Sequence, residues 1–192
     1  GSFFFQNLNI KSMKIISSRF SIEAWNYFLS SKELAQEHYH QNIDTEHIFL
    51  SILNKAGFGL EVLKKNKVNI KETKKLIKGL INLKGRMNSK QNNLFIGDSL
   101  EKAFEKADQI RQKDAEVVIS TNHLIIGLIY DEKCGSLILN NKTILEFLEF
   151  MNVMKSTNLE NNESETSKQS LDKFGIDLTK LARDGLLDPV IG

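Results

Sequence analysis

Three observations predict an all-α protein built from two related halves. The chain's single proline is Pro189, so nothing upstream of it interrupts a helix. Apolar residues recur at three- and four-residue steps, the period of a helix with one buried face. The sequence also repeats itself. Displaced by 76 positions, Phe28 falls on Phe104, Ile43 on Ile119, His47 on His123, Leu53 on Ile129, Gly59 on Gly135 and Leu63 on Leu139.

Each helix of the repeat has its own justification. Ala24, Trp25, Phe28, Leu29, Leu34 and Ala35 define an amphipathic helix over 21–39, and Leu100, Ala103, Phe104, Ala107 and Ile110 define its counterpart over 98–114. Asp44 and Ser120 precede Thr45 and Thr121, where a side-chain oxygen can accept from the unpaired N–H groups of a helix start. Ile48, Phe49, Ile52 and Leu53 then form a buried stripe, matched by Leu124, Ile125, Leu128 and Ile129. Gly57, Gly59 and Gly135 read as punctuation. Short helices are predicted over 60–66 and 136–140, and longer ones over 70–83 and 143–155. Each repeat thus has four helices, and two such repeats pack as one pseudo-twofold bundle with a binding groove at the seam. Residues 84–93 carry Gly85, Ser89 and a Gln-Asn-Asn run, the chemistry of a loop.

Outside the repeats the composition changes. Gly1-Ser2 reads as a cloning scar, and 3–18 combines Phe3-Phe4-Phe5 with Lys11 and Lys14 and no acid, either the remnant of an organelle transit peptide or a loosely docked leader. A plastid-like organelle is one expected address and the cytoplasm the other. Residues 156–170 are polar and read as a flexible linker.

Composition excludes several classes. A formal charge of +2 creates no global field that calls for nucleic acid or an anionic membrane, and no stretch approaches the ~20 apolar residues of a membrane span. Lone Cys134 excludes an internal disulfide and reads as a small apolar filler. Gly57-Phe58-Gly59 lacks the spacing and the Lys-Ser/Thr pair of a phosphate loop. No catalytic or metal constellation emerges: His38 and His40 flank Tyr39 and point to different helix faces, while His47 and His123 fit structural hydrogen bonding. Lys64, Lys65, Lys67, Lys71, Lys74, Lys75 and Lys78 form the strongest charge cluster and carry the rival reading of a nucleic-acid-binding module. Glu72 interrupts it, and no arginine or aromatic reader accompanies it.

Leu171-Asp172-Lys173-Phe174-Gly175-Ile176-Asp177-Leu178-Thr179 and Leu187-Asp188-Pro189-Val190-Ile191-Gly192 resemble the segment that leads from the N-terminal domain into the first ATPase module of the Clp family of protein unfoldases. Arg19-Phe20-Ser21 and Asn42-Ile43-Asp44-Thr45-Glu46-His47-Ile48 resemble the doubled N-terminal repeat of the same family, with Thr45-Glu46-His47 favouring the ClpC branch over ClpB. The resemblance implies a double Clp repeat over 19–155, divided into 19–83 and 95–155, a linker over 156–170 and the start of an AAA+ module over 171–192. It also implies a fragment that is not itself an enzyme and holds no cofactor. ATP and magnesium belong to the full-length protein, which the family makes hexameric, while the isolated domain is expected to be a monomer. Implied partners are unfolded or aggregated clients, adaptors and, through the ring, the ClpP protease.

Site residues follow from the family position by position. In ClpC-type domains the Glu of each Thr-Glu-His is implicated in gripping phosphorylated arginine; Glu46 matches, though it equally fits a helix-start carboxylate favoured by the dipole, but Asn122 replaces the second Glu. Loss of a charge-assisted hydrogen bond, about 1.5–3 kcal/mol, implies weakened or absent phosphoarginine recognition in the second repeat. In ClpB-type domains an apolar groove takes exposed hydrophobic segments. There Phe104 and Ile110 would line the groove, and Ser21, Glu116 and Asn122 would form its rim, although either apolar position equally suits the core and for Phe104 the core is the better reading.

Overall fold

A computed structural model describes residues 15–157. Helices dominate, as the periodicity predicts. After a single 3-10 turn at Ser17–Arg19 come α1 (Ile22–Glu37), strand β1 (Asn42–Ile43), α2 (Thr45–Asn54), α3 (Phe58–Lys65) and α4 (Ile70–Asn82). The second repeat follows with strand β2 (Phe95–Ile96), α5 (Asp98–Lys113), α6 (Thr121–Ile129), α7 (Gly135–Leu139) and a final helix α8 over 144–157. Every expected helix is present with its ends displaced by two residues or fewer. The tail over 158–192 and the leader over 1–14 lie outside the described residues.

The halves are joined by a feature that periodicity cannot show. β1 pairs in parallel with β2, Ile43 opposite Ile96, while Phe20 bridges Ile119. These two crossings are pseudo-twofold copies: each repeat's entry strand pairs with the other repeat's segment before its second helix. Ser21 N–H donates to the Ile119 carbonyl at 2.9 Å, and Gly97 N–H donates to Ile43 at 2.8 Å. Strands of two residues are too short for an alternating pattern to reveal.

Around the crossings sits one core. The Phe104 ring packs edge-on against Phe20 at 5.4 Å and tilted against Phe28 at 5.9 Å, and α2 and α6 are buried along most of their length. Gly59 is the second residue of α3 and Gly135 the first of α7, so each stands at a helix start. A Cβ on Gly59 would sit 2.9 Å from Ile52, and one on Gly135 would strike the Ile129 carbonyl, so both glycines serve close packing as well as marking a helix start. The long helices α1 and α5 end alike. Tyr39 (φ 57°) and Ala115 (φ 56°) take the left-handed conformation, and His40 and Glu116 N–H return to the carbonyls of Ala35 and Arg111.

Candidate functional site

The second-helix starts are built by matched capping boxes. His47 Nδ1 accepts the Asp44 N–H at 2.9 Å, and His123 Nδ1 accepts that of Ser120 at 3.0 Å. An accepting Nδ1 places the proton on Nε2. The network therefore has His47 Nε2–H donating to His40 at 2.9 Å and His123 Nε2–H donating to Asp114 at 3.2 Å. Burial keeps both rings neutral, pulling His47 down to about 3 and His123 below its ordinary value. These are the structural histidines that the sequence indicates.

Asp44 does more than cap its own helix. Its Oδ1 accepts from Thr45 N at 2.8 Å and also from Leu100 N at 3.0 Å, in the first turn of α5 in the other repeat. Gly97, the residue before α5, has no side chain to offer as a cap, and a Cβ there would lie 2.5 Å from Asp44 Oδ2. In the twin position Ser21 caps its own helix, accepting from Ala24 N at 3.2 Å.

The expected site residues divide into three kinds. Phe104 is 1% exposed and belongs to the core, so it cannot line an open groove without rearrangement. Glu46, also 1% exposed, is committed internally: Lys84 of the inter-repeat loop and Lys133 of the second repeat, the latter at 3.0 Å, both grip it. Burial alone would raise its pKa, but the two lysines hold it down at about 2. Ser21, Ile110, Glu116 and Asn122 gather near the Phe20–Ile119 crossing or on the elements leading to it. Ser21 and Ile110 are half-buried there.

Glu116 and Asn122 stand deeper than a rim. Glu116 is 3% exposed and Asn122 fully buried, and none of their side-chain oxygens or nitrogens has a hydrogen-bond partner among the described residues. Burial pushes the Glu116 carboxyl up to about 8 against the pull of Lys155 on α8. Asn122 occupies the position that Glu46 holds in the first repeat, yet it has no lysine pair.

Two residues that the motif comparison missed complete this surface. Ile22 and Val117 are 84% and 83% exposed and flank the crossing on either side, Ile22 directly after Ser21 and Val117 directly after Glu116. Each had a sequence signal: Ile22 lies off the buried stripe of α1, and Val117-Val118 is an apolar pair in a loop. The seam thus offers exposed apolar side chains above incompletely paired polar groups, a surface suited to reversible contact with hydrophobic chain segments. The lysines of 64–78 are elsewhere, at the end of α3 and along α4, and all but half-buried Lys74 are exposed.

Residues 19–142 match the family described as the Clp repeat (R) N-terminal domain. Chaperone protein ClpB of Prochlorococcus marinus is 32% identical over 183 residues, covering 94% of this chain and 21% of that protein. The chain therefore spans about a fifth of the length of the curated relatives it matches. Among solved structures, the N-terminal domain of the ClpV1 ATPase from E. coli superposes with a TM-score of 0.61 at 17% identity, covering 72% of this chain and 86% of that one. The Hsp104 N-terminal domain from Candida albicans gives 0.60 at 11% identity, covering 69% and 88%. Both likenesses concern the fold.

Proposed function

Because the chain belongs to the family of Clp repeat N-terminal domains of AAA+ chaperones, we propose that it receives clients, or adaptors carrying them, and passes them to an ATPase ring. The observation that carries this reading is the exposure of Ile22 and Val117 across the seam. Capture there is weak and reversible, and a tether such as 156–170 raises the local concentration of client at the motor without tight affinity. The acid-free leader, which joins Phe3-Phe4-Phe5 to Lys11 and Lys14, supports a plastid-like address for the whole protein, with the cytoplasm as the alternative.

Of the branches, the ClpB relatives support a disaggregase, whose clients are exposed hydrophobic segments. Thr45-Glu46-His47 favours the second reading, delivery to ClpP. The internal engagement of Glu46 and the burial of Asn122 argue against phosphoarginine as the mark read by this domain. Binding of a permanently unfolded, alkylated protein, followed by fluorescence anisotropy, tests client capture. Ile22→Ser with Val117→Ser should weaken it about tenfold at unchanged melting temperature, since two large apolar contacts contribute roughly 1.5–3 kcal/mol in part. Unchanged affinity would move the binding site away from the seam. Reactivation of an aggregated enzyme by the full-length protein, against degradation in the presence of ClpP, separates the branches.

A further inference from the structure

The pseudo-twofold axis relates two places where an entry strand lies against a long helix, and the two differ. In the second repeat Arg19 reaches across to Asp108 on α5, 3.5 Å away, and Arg111 and Gln112 also bind that carboxylate at 2.7 and 2.9 Å. Displaced by the repeat, the corresponding residues in the first are Phe95 and Lys32, which cannot pair. There the strand and helix leave a groove of about 540 Å³, within the range of peptide and small-ligand sites. Its floor is apolar, from Ile15 at the end of the leader and from Phe28, Ile43, Leu94 and Ile96, and Asn92 and Asn93 lie on its polar side.

Lys32 is the charged residue of this groove, half-buried, and its ammonium has no ion pair or hydrogen bond among the described residues. The wall is preorganised. Gln36 donates to the Gln91 carbonyl at 3.2 Å and Gln41 to that of Asn93 at 3.1 Å, fixing the loop against α1 and β1 before any ligand arrives.

We propose that this groove on the first repeat is a second docking site, taking an apolar segment of a partner protein that carries an acidic side chain to pair with Lys32. It rests on the peptide-receiving role argued above but uses a surface separate from Ile22 and Val117. Charge complementarity selects this occupant over the chain's own leader, whose Lys11 and Lys14 come without any acid and would be brought toward Lys32.

Methyl-detected NMR of the full chain, titrated with two blocked peptides identical except for one Asp or one Lys among Leu, Val and Phe, tests the proposal. The Asp peptide should shift the Ile43 and Ile96 methyls and bind at least tenfold more tightly than the Lys peptide. Lys32→Glu should reverse that preference, and Lys32→Gln should abolish it, each at unchanged melting temperature. Equal affinities, silent Ile43 and Ile96 methyls, or the same shifts produced without peptide by replacing Phe3, Phe4 and Phe5 with serine would overturn it, the last because the leader would then be the occupant. The Ile22 and Val117 methyls, followed with unfolded protein in the same sample, report on the seam independently, so failure of either site is recognised separately.

Discussion

Replacing Asp44 by alanine should damage two helices that belong to different repeats. Its carboxylate accepts from Thr45 N at the start of α2 and from Leu100 N at the start of α5. Each lost cap costs about 1 kcal/mol, with a range of roughly 0.5–2. Lys133, 3.7 Å away and about one-third exposed, adds little once solvent screening is considered. The total is about 2–3 kcal/mol, or a fall of roughly 5–10 °C in melting temperature for a domain of this size. Ser120→Ala supplies the internal control, because Ser120 occupies the twin position and serves α6 alone. It should cost about half as much. Urea unfolding followed by the single tryptophan, Trp25, which packs against Phe20 and Phe28, gives both values. Amide exchange at 98–101 should accelerate in Asp44→Ala and not in Ser120→Ala. If the two variants lose equal stability, or if α5 keeps its protection, the shared cap is not an energetic link between the repeats.

Three further outcomes follow from buried charge and backbone strain. Glu116 has a folded pKa near 8, above its ordinary 4.5, so the folded state holds its proton more tightly and stability declines as pH rises from about 4.5 to 8. Glu116→Gln should remove that decline and stabilise the domain by about 3 kcal/mol at pH 7, the roughly 2.5 pH units between 4.5 and 7 counting about 1.4 kcal/mol each; a stability profile equal to that of the parent chain would contradict it. Glu46 shifts oppositely, to about 2, so its contribution is complete above pH 4.5 and is lost as pH falls through 2. Glu46→Gln should therefore destabilise at neutral pH by about 1–3 kcal/mol and flatten the acid limb, measured by urea unfolding at several pH values. Ala115→Gly should stabilise by about 0.5–1 kcal/mol because Ala115 is held left-handed, and thermal unfolding would expose the error if the variant melted lower.

The helices were legible because their evidence is local: apolar period, caps and the offset of the repeat. Gly59 and Gly135 do mark helix starts, but their packing role was hidden because it is recognisable only from what approaches them, here Ile52 and the Ile129 carbonyl. The inter-repeat strands escaped for a related reason, each being two residues whose partner lies far along the chain. At the site, Glu46 and Asn122 were correctly found as a position where the repeats differ, but sequence cannot show that Lys84 and Lys133 already occupy Glu46. Phe104 turned out to be core because Phe20 and Phe28 converge on it from the other repeat. The Lys32 groove was invisible until the twin positions could be compared in three dimensions.

The most direct test of client capture is a two-dimensional NMR titration of this chain with a permanently unfolded, alkylated protein, following Ser21, Ile22, Ile110, Glu116, Val117 and Asn122. Shifts clustered around the Phe20–Ile119 crossing, saturating with added client, are the result expected of a domain that receives chains for the motor. A spectrum unchanged at those residues up to saturating client would contradict the proposed capture.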